Sequence, residues 1–182
     1  MTMKKITFLI LFFSTVVGFC QGVYKATDGD VSFFSETPIE NIDAVNKDVR
    51  ALLNTKNGGV AFIVTNIGFH FDKPLMEEHF NENYMESDKY KVSVFKGEIV
   101  EQIDYSKNGT YKVTVKGTLD LHGVEKERTI LGELIVLDGK ITVQSSFDVK
   151  GEDHKIKIPK LVIKNIAETV QVTVNLNFEL KK

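Results

Sequence analysis

The sequence predicts an all-β fold, an antiparallel barrel of about eight strands with one short helical insertion. The first observation is strict alternation over residues 169–180, where every second residue is apolar and the residues between them are polar. A period of two places alternate side chains on opposite faces of a strand, one face in a core and the other in water. The same alternation recurs over residues 111–121 and 141–149.

The second observation is the length of these runs. They extend over about 9–12 residues, whereas a typical strand has about 5–6. Long strands with one apolar face must wrap around apolar material, which is either a packed core or a long apolar ligand. The third observation is that short turns join nearly all of the runs. Closing such a sheet into a barrel removes its exposed edges, and a sandwich of two sheets is the alternative.

Three strands are predicted before the helix. They cover residues 30–35, 42–54 and 60–71. Residues 56–59, Lys-Asn-Gly-Gly, predict a hairpin turn because both glycines accept positive φ. The run at 60–71 is apolar on both faces in part, so its orientation stays open.

The period changes between Asp72 and Tyr84. Pro74 suits the first position of a helix, and Met76, Phe80 and Tyr84 follow at four-residue spacing. This pattern predicts one or two helical turns with an apolar stripe. The stripe either covers the mouth of the barrel or docks on its wall.

Five further strands follow the helix. They are predicted at residues 91–102, 110–121, 128–137, 140–149 and 169–180. Asp138-Gly139 forms a tight turn, a link covers residues 122–126, and residues 151–154 form a polar loop. Pro159 makes the run at 156–163 an edge, a bulge or an irregular stretch, because proline cannot donate to a sheet ladder.

The first 20 residues predict a secretory signal peptide. Two lysines precede an apolar run at 6–17, and the small residues Gly18 and Cys20 precede a cleavage site before Gln21. The run is too short for a membrane span, which takes about 20 apolar residues. The sequence therefore predicts a periplasmic or secreted protein whose single domain covers residues 21–182.

Cys20 is the only cysteine of the chain. A lipoprotein that retains a lipidated Cys20 is the alternative to cleavage, but Phe19 stands where lipoprotein signals have a small residue. In either case the domain contains no disulfide, although an oxidising compartment would permit one. Its stability must come from its core.

The charge pattern argues against nucleic acid as a partner. Without the two lysines of the leader, 21 basic and 25 acidic side chains give the domain a net charge of about −4. No basic stripe offers an electrostatic footing for a phosphate backbone.

The sequence predicts no enzyme, no metal site and no cofactor. It contains no G-x-S-x-G motif and no glycine-rich phosphate loop. The four histidines, His70, His79, His122 and His154, lack the spacing of a helical metal-binding pair.

The chain resembles the YceI-like proteins. Residues 119–126, Leu-Asp-Leu-His-Gly-Val-Glu-Lys, are similar to the family's L-T-hydrophobic-x-G-V-T-K segment. His79-Phe80, followed by Tyr84 and then Lys89-Tyr90, is similar to its H-L…F-F…Y-P stretch, and Phe95–Ile99 fits the strand after it. Ala167–Val170 and the last strand match its G-D-x-V ending, so the resemblance covers nearly all of the mature chain in order.

This resemblance implies a lipocalin-like barrel with a long apolar cavity that takes polyisoprenoid or related amphiphilic lipids. The chain departs from the family in places. Met76-Glu77-Glu78 replaces an Arg-Asp pair, while Asp120 and Glu125 replace two threonines. Any polar contact that those family residues make with a ligand is therefore not carried over.

The predicted ligand-binding residues are the alternating apolar side chains and the helical stripe with its histidine. They are Val113, Val115, Leu119, Val143, Phe147, Val172, Val174, Leu176, Phe178, Met76, His79, Phe80 and Tyr84. For any one of them, packing in the core is the competing interpretation. For His79, a helix cap or a hydrogen bond to a loop competes with contact to a ligand head group.

The sequence thus predicts an exported protein that sequesters or carries a long isoprenoid or isoprenoid quinone lipid. The alternative is a ligand-free barrel of the cell envelope that binds a protein partner. Neither a membrane-spanning segment nor a nucleic-acid partner is predicted, and pairing into a homodimer stays open.

Overall fold

A computed structural model describes residues 22–37, 41–158 and 167–181, and it confirms the predicted antiparallel barrel. The described residues form one sheet of ten strands. They are β1 (Val23–Ser35), β2 (Ile42–Asn46), β3 (Val49–Asn54), β4 (Gly59–Thr65), β5 (Phe69–Phe71), β6 (Val92–Ile99), β7 (Gly109–Leu121), β8 (Val124–Leu137), β9 (Lys140–Lys150) and β10 (Thr169–Leu180). The predicted signal peptide, Cys20 and the segment around Pro159 lie outside the described residues.

Eight of these strands close into a barrel in the order β1-β3-β4-β6-β7-β8-β9-β10, because β10 pairs with β1. The sheet is therefore not a two-layer sandwich. The closing ladder contains a bulge between Ala26 and Asp28. Gly29 follows it with φ of 118°, and a Cβ at this position would lie 2.1 Å from the Asn175 carbonyl oxygen. The closure therefore requires glycine at position 29.

The single strand predicted at 42–54 is in fact two strands. β2 pairs with the C-terminal part of β1, whereas β3 pairs with its N-terminal part. The Asn46 side chain stabilises the break, since its Nδ2 donates to the Thr65 carbonyl (2.8 Å) and its Oδ1 accepts from the Asp48 N–H (2.8 Å).

The run predicted at 60–71 is also divided, by a 3₁₀ turn at Asn66–Gly68. β5 after this turn pairs with β2, so β2 and β5 extend the sheet from β1 beyond the closed barrel. The prediction failed here because the buried asparagines Asn46 and Asn66 interrupt the strands, and the single Gly68 in the turn was not a sufficient signal.

Three smaller differences concern element ends. The first strand begins at Val23 rather than Asp30, because the bulge hides the alternation. The link predicted at 122–126 shortens to a turn at residues 122–123. The polar loop at Gly151–His154 is a 3₁₀ turn whose His154 is fully buried, with Nδ1 hydrogen-bonded to the Val124 carbonyl (2.9 Å).

The helical insertion forms where it is predicted. Helix α1 covers Pro74–His79 with proline in its first turn, and a π-helical turn continues it over Phe80–Tyr84. Within the described ranges, no helix combines the length and the apolar character needed to cross a membrane.

The two ends of the barrel differ. The lower end holds the turns at residues 55–58 and 138–139, and it is filled by a packed core whose members include Leu53, Leu134 and Phe178. Ile103 and Tyr105 from the β6–β7 connection pack against this core, and burial raises the pKa of Tyr105 to about 12. The upper end carries the helical insertion.

We expect Asn66 to be essential to the upper end. Its Nδ2 donates to the Tyr90 carbonyl (2.6 Å) and its Oδ1 accepts from Ser93 Oγ (2.7 Å), and the side chain is fully buried. Asn66→Ala leaves the buried carbonyl unpaired, so the free energy of unfolding should fall by about 1–3 kcal/mol in urea denaturation. The exposed Asn83→Ala is the control, with an expected change within about 0.5 kcal/mol. Equal effects of the two substitutions would contradict this role.

Candidate functional site

Glycines and a serine take inward positions near the middle of the barrel wall. Gly97 of β6 is the register partner of Gly117 of β7, and Gly132 of β8 is the partner of Ser145 of β9. These positions continue the inward-facing alternation of their strands. A Cβ at Gly117 would lie 2.2 Å from the Lys96 carbonyl oxygen, so the adjoining strands approach too closely for any larger residue.

A cavity of about 660 Å³ occupies the space above the packed core. Its floor is formed by Leu53, Leu134 and Phe178, and it extends upward to Leu75 and Met76 of α1. Leu75 is 60% exposed and also lines the cavity, so the cavity reaches the surface at the helix. Its volume lies within the range of about 300–1,000 Å³ that is usual for ligand pockets.

The described wall of this cavity is predominantly apolar. Its polar or charged members are Ser35, Asn66, Lys73, His79, Tyr84, Ser93, Ser145 and Glu168. An apolar wall with a small number of polar groups is typical of a site that binds an apolar or amphiphilic molecule.

The structure places twelve of the thirteen predicted binding residues in this wall. They are Val113, Val115, Leu119, Val143, Phe147, Val172, Val174, Phe178, Met76, His79, Phe80 and Tyr84. The exception is Leu176, which lies in the packed lower core with 1% of its surface exposed. On β10 it lies between Val174 and Phe178, and its side chain packs within the core. That the twelve contact a ligand stays a prediction.

An aromatic cluster holds the helical insertion over the upper end. The Phe80 ring lies 5.2–5.5 Å from the rings of Phe33, Phe69 and Phe71, measured between centroids. The following π turn is closed by the Met85 N–H, which donates to the Phe80 carbonyl (2.8 Å). This wider turn directs both Tyr84 and Met85 into the cavity wall.

Two polar groups of the insertion are available to a ligand. The serines of the wall and Asn66 are already hydrogen-bonded within the protein. By contrast, the Tyr84 hydroxyl and the His79 imidazole have no hydrogen-bond partner among the described residues. The Tyr84 hydroxyl is protonated at neutral pH, as any tyrosine is, and burial raises its pKa further, so it can donate to the polar end of a bound molecule.

One side of the wall was missed in the sequence analysis. It is contributed by β1, β4, β5 and β6 and includes Phe33, Phe62, Phe69 and Phe95. The two-residue spacing of Phe69 and Phe71 is typical of a strand with both rings on one face. The 3₁₀ turn before them obscured the alternation.

The histidines do not converge on a common site. His70 is exposed and bonds to Glu77 Oε2 (3.4 Å), whereas His122 is buried and bonds to Glu86 Oε2 (2.9 Å). His154 lies near His122, whose Nδ1 is 3.2 Å from the His154 carbonyl oxygen. In the part of the chain that the structure describes, no group of three or more metal-ligating side chains is brought together.

Comparisons with known proteins agree with this architecture. A model of the YceI-like domain matches residues 5–178. The fold is similar to a polyisoprenoid binding domain from Saccharophagus degradans implicated in plant cell wall breakdown, with a TM-score of 0.74 and 18% identity, covering 87% of this chain and 98% of that chain. For Burkholderia cenocepacia BcnA the TM-score is 0.71 at 14% identity, with coverage of 82% and 95%.

A third similar structure is the Campylobacter jejuni YCEI protein, with a TM-score of 0.65, 16% identity and coverage of 81% of this chain and 90% of that chain. At such identities these structures establish the fold alone. No curated protein sequence matches the chain.

We expect the hollow and the packed parts of the barrel to respond differently to the same substitution. Val115 lines the cavity, whereas Val136 is 2% exposed in the packed core. Val136→Phe should therefore lower the free energy of unfolding by about 1–3 kcal/mol through overpacking. The added ring of Val115→Phe enters empty space, so its effect in urea denaturation should stay within about 0.5 kcal/mol. Equal destabilisation by the two variants would show that the middle of the barrel is filled.

Proposed function

The chain belongs to the YceI-like family, and we propose that it is an exported binding protein that carries a long isoprenoid or isoprenoid quinone lipid in its barrel. The observation that carries the proposal is the apolar cavity of about 660 Å³, which opens beside α1. The description of the Saccharophagus degradans structure as a polyisoprenoid binding domain supports the same ligand class.

Burial of the ligand's hydrocarbon would provide most of the affinity. Each methylene removed from water contributes about 0.8 kcal/mol. Tyr84 and His79 add hydrogen bonds for a polar end that lies near the helix. These two contributions are sufficient to retain a lipid, so the proposal is a binding protein rather than an enzyme. The open cavity favours the carrier over the alternative of a ligand-free barrel that docks a protein partner.

The cavity volume sets the length of chain that fits. A cavity of about 150 Å³ accepts benzene, which corresponds to roughly 25 Å³ per carbon atom. At that density, 660 Å³ holds about 26 carbons, or about five isoprene units. The packed core beneath Leu53 and Phe178 prevents a longer chain from extending further down the barrel.

Native mass spectrometry of protein purified from its own host should detect a bound isoprenoid lipid. In a mixture of prenyl alcohols at equal concentration, occupancy should rise with each added unit up to about five units, because each unit buries further apolar surface. Beyond that length the occupancy should level off.

The variant Val115→Phe is the control, since its ring occupies cavity space and should shift the plateau to shorter chains. An empty protein from the host, together with no binding of any prenyl alcohol in vitro, would overturn the proposed function. A preference for chains of one or two units would overturn the volume argument alone.

Export is the second part of the proposal, and it is supported by the basic, apolar and small-residue segments of residues 1–20. We expect the mature protein to begin at Gln21. The intact mass of protein recovered from the periplasm or culture medium of its host measures this directly. A mass that includes Cys20 and acyl chains would instead establish a lipoprotein. A full-length mass in the cytoplasm would contradict export.

A further inference from the structure

The wall of the barrel is interrupted between β8 and β9. β7 pairs with β8 along its whole length from Gly109 to Leu121, and β10 pairs with β9 from Thr169 to Phe178. Between β8 and β9, however, the ladder joins only Gly132–Leu137 to Lys140–Ser145. Above Gly132 the two strands diverge, although each remains paired with its other neighbour.

The gap between these strands communicates with the cavity. Ile130 on β8 and Phe147 on β9 line the cavity on its two sides. Leu131 is the next residue after Ile130 on β8. It lines the cavity although 68% of its surface is exposed. Gly132 and Ser145 line both the cavity and a groove on the outer surface of β7–β10. Val113 and Val174 on the neighbouring strands line both spaces as well, so the groove follows the outside of this part of the wall.

The opening is bounded by fixed structure at both ends. Below it, the ladder begins at Gly132, where a Cβ would lie 2.8 Å from the Gln144 carbonyl oxygen. Above it, the 3₁₀ turn of β9 is fastened to the start of β8 by the hydrogen bond from His154 Nδ1 to the Val124 carbonyl. Both ends of the interval without a ladder are therefore fixed.

Side chains, and not a backbone ladder, bridge the gap. The Arg128 guanidinium on β8 donates to the Asp148 carbonyl on β9, and Ser145 Oγ donates to the Leu131 carbonyl (2.6 Å). Such bridges break and re-form by rotation of single side chains. The gap can therefore admit a thin apolar chain while the β7–β8 and β9–β10 ladders stay intact.

We propose that this side opening is the exit for the part of an isoprenoid tail that exceeds the capacity of the cavity. The inference rests on the proposed function. With the polar end of the lipid beside Tyr84 and His79, a longer tail meets the packed floor at Phe178. It must then double back to the helix, which displaces the polar end, or leave sideways past Leu131.

The outer groove explains why the exit adds little affinity. Most of its lining residues are polar, among them Lys112, Thr114, Glu133 and Gln144, and its apolar surface is much smaller than that of the cavity. The emerging tail gains little further burial there, so the affinity should rise only slightly for tails longer than about five isoprene units.

Photocrosslinking with the full chain locates the end of the tail. The probes are two prenyl alcohols of about five and about eight units, each with a diazirine at the terminal carbon. The five-unit probe should label the floor at Leu53 or Phe178. The eight-unit probe should label Ile130 or Leu131, as mapped by peptide mass spectrometry.

Each other outcome decides against one of the two proposals. Labelling of Leu75 or Met76 by the eight-unit probe would show that the surplus leaves at the helix, and labelling of the floor alone would show that the cavity takes the whole chain. Either result overturns the side exit and leaves the carrier function intact. Failure of both probes to bind overturns the carrier function itself.

A covalent tether across the gap gives an independent measurement. In a Cys20→Ser background, Arg128→Cys and Asp148→Cys joined by a short bismaleimide should lower occupancy by the eight-unit alcohol about two- to tenfold, the equivalent of one lost hydrogen bond at the polar end. Occupancy by the five-unit alcohol should not change. The control is the same tether between Arg50→Cys and Ile63→Cys, which are register partners on the continuous β3–β4 ladder. Equal effects of the two tethers would overturn the side exit.

Discussion

The width of a closed eight-stranded sheet is the constraint on which the rest of this structure depends. Neighbouring strands are held about 4.8 Å apart by their hydrogen bonds, so the barrel cannot contract around missing side chains. The size of the inward residue in each layer therefore decides whether that layer is solid. Leu53, Leu134 and Phe178 fill the lower layer, whereas the inward side chains above them, among them Val115, Val143 and Phe147, face a cavity.

Stability and binding are consequently assigned to different ends of one barrel. The lower end derives its stability from apolar packing, which is dense because large side chains meet there. The upper end encloses a cavity and must be held by other interactions. These are the ring contacts of Phe80, the hydrogen bonds of Asn46 and Asn66, and the bond between His122 and Glu86. Such local interactions open more readily than a packed core, which suits the end where a ligand must pass.

The sequence predicted the antiparallel barrel, the helical insertion and most of one wall of the cavity, because period-two alternation follows directly from strand geometry. It did not predict the division of 42–54 and 60–71, since that depends on buried amides such as Asn46 whose partners are distant in sequence. The close approach of neighbouring strands had a local signal. Gly117 and Gly132 interrupt the inward alternation, and glycine inside a strand marks a close approach of backbone.

The break between β8 and β9 had a local signal on one strand alone. In β8 a polar run over residues 125–129 puts Lys126 and Arg128 at positions of the inward-facing alternation, whereas β9 keeps its alternation through Phe147 and Val149. Their separation follows from the geometry of the whole barrel, in which each strand keeps its ladder with the outer neighbour. Pairing between strands is a property of two segments together, whereas alternation is a property of one.

An apolar wall recognises the amount of hydrocarbon that it covers and little else, because hydrophobic burial has no direction. Selectivity in this barrel must then come from its shape and from the two polar groups of the insertion. The packed floor penalises chains that are too short, since they leave apolar wall and empty volume uncovered. A side opening removes the corresponding penalty for chains that are too long. If the protein carries the proposed lipid, discrimination by length is therefore one-sided, and the barrel would act as a minimum-length filter for tails whose polar end reaches Tyr84 and His79.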